Sequence, residues 1–162
     1  MVDVSAASAA NADHQMTVAD LTGWEATHGA SEPDTIVLIR ADFSKRWPDE
    51  RSYLGTDEMG AGAVAKLHFP GVHADAARWL VQKRVRAVGL DTESIDYGQS
   101  MLLESHRILY ERNIPAFENL AALEMLPARG ATANALPMKI KSGSGGPLRA
   151  VAVVPVDAAV GR

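Results

Sequence analysis

The sequence predicts a mixed α/β domain with flanking helices, and three segments carry that prediction. Residues 35–40 (TIVLIR) and 85–90 (VRAVGL) are apolar runs rich in β-branched residues, the composition of strands buried on both faces. Between them, residues 74–83 place Ala77, Leu80 and Val81 on one helical stripe. Strand, helix and strand in that order make a βαβ unit, which crosses over right-handed. A chain of 162 residues favours one domain, and a composition 47% hydrophobic is enough to build its core.

The other elements follow in chain order. Val2-Asp3-Val4 reads as a very short strand, and residues 5–16, rich in Ala, Ser, Asn and Asp, as a loop. Thr17 is placed to cap a helix, with Asp20 in the first turn where the helix dipole favours negative charge. Val18, Leu21 and Trp24 recur at near-helical spacing, and His28-Gly29 ends the helix. Residues 41–67 are polar, glycine-bearing and aperiodic, a long surface excursion of the kind that often carries function. Beyond residue 90 the pattern predicts a helix over 101–112, a short strand over 114–117 and a helical turn over 119–126. Two strands follow, 131–140 and 148–154, joined by a turn containing Ser142-Gly-Ser-Gly-Gly146. The total is about six strands and three helices, with no internal repeat.

Composition excludes several function classes. The net charge is −4, and the densest basic cluster, Arg78, Lys83, Arg84 and Arg86, reads as the wet face and end of a helix. A dedicated nucleic-acid surface needs more concentrated Lys and Arg. The absence of cysteine removes disulfides, thiolate nucleophiles and Cys-ligated zinc. No apolar run approaches the ~18–20 residues of a membrane span. The segment MVDVSAASAANADHQ has neither a basic n-region nor a long apolar h-region, so a soluble cytoplasmic protein without membrane or nucleic-acid partners is expected.

Chemistry concentrates in Gly89-Leu-Asp91-Thr92-Glu-Ser94-Ile-Asp96-Tyr-Gly98-Gln99-Ser100, which leaves a buried strand directly. Loops at the C-terminal ends of strands are where α/β sheets bind ligands. Asp91 and Asp96 equally suit a capped turn, bonding local backbone amides. His106 lies on the following helix with Leu102 at i−4 and Leu109 at i+3, which turns the imidazole inward. Glu118 sits in the apolar setting Ala116-Phe117-Glu118-Asn119-Leu120, where a carboxylate needs a partner or a metal. His106 and Glu118 are either two ligands of one divalent cation or an ion pair inside the core. The glycine-rich 142–146 turn lacks the Gly-Lys-Ser/Thr of a phosphate loop. His14, His28, His68 and His73 are scattered and read as surface or structural residues.

Long ordered phrases of the sequence resemble one family, the cyclase-family metal-dependent hydrolases that include kynurenine formamidase and isatin hydrolase. They are HFPGVHADAARWL, AVGLDTESIDYGQS, HRILYERNIPAFENLAAL and LPARGATANALPMKIKSGSGGPLRAVAVV, preceded by TVADLTGWEATHG and DTIVLIRADFSKRW. The resemblance implies a swivelling β/β/α-like sheet and metal-dependent hydrolysis of amide or lactam bonds, N-formylkynurenine and isatin being the associated substrates. His106 and Glu118 match the family's histidine and glutamate that bind a second metal, so the resemblance implies catalytic and metal-binding roles for both. Asp91, Thr92 and Ser94 match the loop after the central strand, and Gln99 lies in the loop that helps complete the site, which implies substrate binding for these four.

One departure stands out. The family's histidine-rich motif, approximately HxGTHxDxPxH, holds its first metal and does not occur in this sequence. The chain is therefore expected to be N-terminally truncated relative to the family and to offer an incomplete site for Zn or Mn. It is also expected to self-associate, covering strand edges left open. Two functional readings remain: a hydrolase with an altered metal site, and a non-catalytic remnant or binding and oligomerisation subunit.

Overall fold

The computed structural model describes residues 1–155. Its centre is a four-stranded sheet in the order β1 (Val2–Asp3), β3 (Ile36–Arg40), β5 (Ala87–Leu90) and β6 (Ala116–Phe117), and every neighbouring pair is parallel. The register sets Ile36 against Ala87 and Ile39 against Leu90. All four residues of β5 are buried, which is why its sequence runs apolar without alternation. Ile39, Val88 and Leu90 are almost wholly enclosed, each stabilising the fold by roughly 1.5–3 kcal/mol.

The predicted βαβ unit is present. β3 and β5 are adjacent and parallel, and α4 (Ala74–Gln82) lies between them in the chain, burying Ala76, Ala77 and Leu80. The N-cap of α4 is His73, whose Nδ1 accepts the Asp75 amide at 3.1 Å. Helix α2 (Val18–His28) begins at Thr17 in a capping box with Asp20 and stops at Gly29, whose φ of 86° suits glycine.

Four sequence expectations need correction. The supposed loop over 5–16 holds helix α1 (Ser5–Ala10) and strand β2 (Gln15–Met16), which pairs in parallel with β4 (Gly71–Val72). SAASAA is alanine-rich enough to be helical without an apolar stripe, and two-residue strands leave no periodic signal. The predicted helix over 101–112 shortens to α5 (Glu104–Tyr110), because Leu103 takes a left-handed φ of 48° and breaks the chain's path there. Leu102 consequently precedes the helix and is 66% exposed, so the spacing argument that turned His106 inward fails on that side. Finally, the described residues hold eight strands and five α-helices, more than the sequence pattern counted.

The excursion over 41–67 winds as short 3-10 turns around one further helix, α3 (Glu50–Leu54). The last strands are β7 (Thr132–Pro137) and β8 (Leu148–Val153), an antiparallel hairpin closed through the glycine-rich turn as expected. No helix of the described residues is long and apolar enough to cross a membrane.

Candidate functional site

In a parallel sheet all strands end at the same edge, so the segments leaving β3, β5 and β6 meet there. The three segments are tied together by backbone and side-chain hydrogen bonds. Asp91, at the end of β5, accepts the Ala41 amide from the end of β3 at 2.7 Å, and its other oxygen lies 3.5 Å from Ser44 Oγ. The turn after β6 is fixed by Asn119 N–H donating to Thr92 O at 2.8 Å and Leu120 N–H donating to Leu90 O at 3.0 Å. Strand β4 supports the loop from beneath: Val72 N–H donates to Ile95 O at 2.7 Å. Gly71 allows that approach, since a Cβ there would lie 2.3 Å from Tyr97 N.

Within this frame the structure brings together His106, Glu118 and Asp96. His106 Nε2 is 3.2 Å from Glu118 Oε1, and its Nδ1 is 2.6 Å from Asp96 Oδ2. Glu118 Oε1 also accepts the Ile95 amide at 3.0 Å, which aims the carboxylate. Asp96 is buried and does more than pair with the ring. Its Oδ1 accepts the Ser105 amide at 3.0 Å and its Oδ2 the His106 amide at 3.1 Å. These are early amides of α5, which Leu103 at the N-cap cannot satisfy with its own side chain. Tyr110 packs edge-on against the imidazole at 5.3 Å between ring centres.

The electrostatics follow from this geometry. Hydrogen bonds to Asp96 and then Glu118 raise the His106 pKa to about 9, against the opposing effect of burial. Burial pushes the Asp96 carboxyl up, but the His106 ring and the two amides outweigh it and leave the carboxyl below its usual range. The place between the two carboxylates is thus one that stabilises positive charge.

The donor set fits two positions of a divalent cation. Ligand bonds of about 2.0–2.2 Å put neighbouring donors roughly 3–3.4 Å apart, and the 3.2 Å between His106 Nε2 and Glu118 Oε1 falls in that range. A metal-bound histidine whose other ring nitrogen bonds a carboxylate is the usual arrangement at such sites, and Asp96 is placed for it. Among the described residues no group of three His, Asp or Glu side chains converges as a ligand set. The described residues therefore offer a pair of donors, fewer than the three of ordinary catalytic zinc sites.

The remaining sequence candidates lie close by in different roles. Asp91 and Thr92 are fully buried, with Asp91 pinned to Ala41 and Thr92 Oγ1 donating to Ser94 O at 3.0 Å. Burial pushes the Asp91 carboxyl up. Ser94 Oγ accepts the Asp96 amide at 3.2 Å and remains partly exposed. Gln99 Nε2 lies 3.1 Å from His68 Nδ1, which is itself 2.9 and 3.0 Å from the two oxygens of Asp13. Two site residues escaped the sequence reading. The sequence leaves Asp96 open between a ligand loop and a capped turn, and its distance from a helix start and a histidine is the usable signal for its pairing with His106. Tyr53, buried on α3, reaches Asn119 Oδ1 with its hydroxyl at 2.8 Å, and nothing in the aperiodic 41–67 segment marks it.

Comparison with known proteins gives this geometry a context. The Cyclase family matches residues 1–97 of the 162. The isatin hydrolase of Roseibium aggregatum is 36% identical over 159 residues, covering 96% of this chain and 58% of that protein. The kynurenine formamidase of Bacillus cereus is 34% identical over 102 residues, covering 63% of this chain and 48% of its own. Among solved structures, an isatin hydrolase bound to the product analogue thioisatinate superposes with a TM-score of 0.86 at 36% identity, covering 95% of this chain and 58% of that one. Isatin hydrolase A from Ralstonia solanacearum gives 0.85 at 35% identity, with 95% and 59% coverage. The chain thus spans less than two thirds of the length of each of these relatives.

Proposed function

Because this chain belongs to the Cyclase family, we propose that it serves as a metal-dependent hydrolase, one that opens the C–N bond of a lactam or amide or the C–O bond of a related ester. The single observation that supports this most is the His106–Glu118 pair, 3.2 Å apart at the sheet edge, with Asp96 behind the imidazole. Isatin-like lactams and N-formyl aromatic amines are the substrate classes the relatives' names point to.

In this reading His106 and Glu118 would hold one divalent cation, Zn or Mn. When bound, such an ion lowers the pKa of water and polarises a carbonyl. Asp96 fixes the ring so that Nε2 faces Glu118, and the Ile95 amide fixes Glu118. Ser94 and Gln99, both partly exposed, are the loop residues available to a substrate's polar groups, whereas Asp91 and Thr92 act on substrate through the shape of the loop. Water adds to the carbonyl carbon, the C–N bond breaks, and the leaving nitrogen takes a proton, which yields a carboxylate and an amine.

We also place the chain as a single domain that works in the cytoplasm and self-associates. Leu136, Val151 and Val153 are exposed on one face of the β7–β8 hairpin, which supports an apolar contact there. A second reading, a non-catalytic binding or oligomerisation subunit, is favoured by one observation: among the described residues two donors converge rather than three. Turnover assays with isatin and N-formylkynurenine, with Mn²⁺ or Zn²⁺ added, separate the two. The hydrolase reading expects metal-dependent turnover that His106→Ala abolishes. Turnover that survives His106→Ala unchanged removes the site assignment, and no turnover with no bound metal favours the binding subunit.

A further inference from the structure

Tyr53 is 2% exposed, and its ring lies edge-on to Trp47 with 5.8 Å between centres. A buried phenol hydroxyl must find an acceptor. This one donates to Asn119 Oδ1 at 2.8 Å and lies 3.5 Å from the Asp91 carbonyl. Asn119 has a φ of 56°, a left-handed conformation that asparagine tolerates better than most residues. Its backbone amide is held by Thr92 O at 2.8 Å. Asn119 is therefore anchored through its main chain to Thr92, and through its side chain both to Tyr53 on α3 and to Glu93 in the loop after β5. The residue before it is Glu118, whose carboxylate meets the Ile95 amide and His106. A phenylalanine at position 53 would fill the same ring volume, so the hydroxyl's contribution is its close contact with Asn119 Oδ1 and the longer approach to the Asp91 carbonyl.

We infer that Tyr53 is a positioning residue for Glu118, acting through Asn119 to hold the carboxylate at the sheet edge. Its part in cation binding rests on the function proposed above, while its effect on Glu118 does not. Burial and the nearby Glu93, Asp91 and Glu118 charges push the phenol up, which keeps it a proton donor across the working pH range. The excursion over 41–67 thereby gains a role at the site, since both Tyr53 and the Ala41 amide come from it or its start.

The test compares wild type, Tyr53→Phe, Asn119→Gly and the double variant as full chains. Glycine accepts the positive φ, so Asn119→Gly removes the acceptor without backbone strain and serves if Tyr53→Phe folds poorly. In metal-free protein, the Ile95 amide is expected to exchange about tenfold faster and to shift in the NMR spectrum in either single variant, with the melting profile nearly retained. Mn²⁺ affinity is expected to weaken about tenfold, the lower end of what loss of a ligand's supporting contact costs. A residue acting only as filling would leave the Ile95 amide unmoved. The double variant should match Asn119→Gly alone, because Tyr53→Phe removes only a connection that Asn119→Gly has already broken. An unchanged Ile95 amide in both single variants, or additive effects in the double, overturns the inference. If wild type binds no Mn²⁺, the proposed function fails while the Ile95 measurement still decides the role of Tyr53.

Discussion

The Asp96 carboxylate lies 2.6 Å from His106 Nδ1 while also accepting the backbone amides of Ser105 and His106. One side chain therefore starts helix α5 and orients the ring that the helix carries. Local folding and site geometry are coupled through it: the imidazole cannot be displaced without disturbing the helix start.

Asp96→Asn should reveal both roles. The amide can accept at one oxygen only and presents N–H groups where two donors already point. Leaving such buried donors unpaired costs about 1–3 kcal/mol, which a denaturant titration will read as a lower midpoint. Divalent-cation affinity should fall roughly 10- to 100-fold. A variant with wild-type stability and affinity would show that neither coupling operates.

Gly71→Ala should disturb the site from the opposite strand. The added Cβ would stand 2.3 Å from Tyr97 N and 2.5 Å from the Asp96 carbonyl carbon, both backbone atoms that cannot swing away. Overpacking of this kind typically costs about 1–3 kcal/mol. Loss of thermal stability together with displaced amide signals for residues 95–97 is expected. A thermal profile equal to wild type would mean that β4 does not support this loop.

The Arg40–Asp42 pair gives a pH dependence remote from the proposed ligands. Arg40 Nε meets Asp42 Oδ1 at 2.6 Å, and this hydrogen bond, first among its causes, holds the Asp42 carboxyl below its usual range. A carboxyl depressed in the folded state adds stability above its unfolded pKa of about 3.9. That stability is lost as pH falls through the lower folded value. The pair is partly exposed, so solvent screening limits it to about 1 kcal/mol or less. Arg40→Met should flatten the decline in stability below about pH 4 seen for wild type. An unaltered acid profile would show that the pair contributes nothing to folding.

Much of the sheet was legible because its strands are buried on both faces. The runs around Val37 and Val88 could hardly be anything else, and Thr17 with Asp20 marked a helix start by chemistry alone. His106 and Glu118 were legible as polar residues among apolar neighbours, and the structure pairs them with both side chains partly exposed; the stripe through Leu102 fails because α5 begins later. Asp96 was harder to place. Its role depends on where that helix starts, and the left-handed Leu103 that fixes the start has no sequence signal. Tyr53 and α1 were missed for a related reason: one sits in an aperiodic excursion, the other is an alanine-rich turn without a stripe. What periodicity cannot show is a contact between distant loops, and both Tyr53–Asn119 and Ala41–Asp91 are of that kind.

The central claim is that His106 and Glu118 together hold one divalent cation. Calorimetric titration of metal-free protein with Mn²⁺ tests it most directly, run on wild type, His106→Ala and Glu118→Gln. The account predicts one equivalent bound by wild type and loss of that binding in both variants, with each variant still folded. Undiminished binding in either variant, or none in wild type, would contradict it.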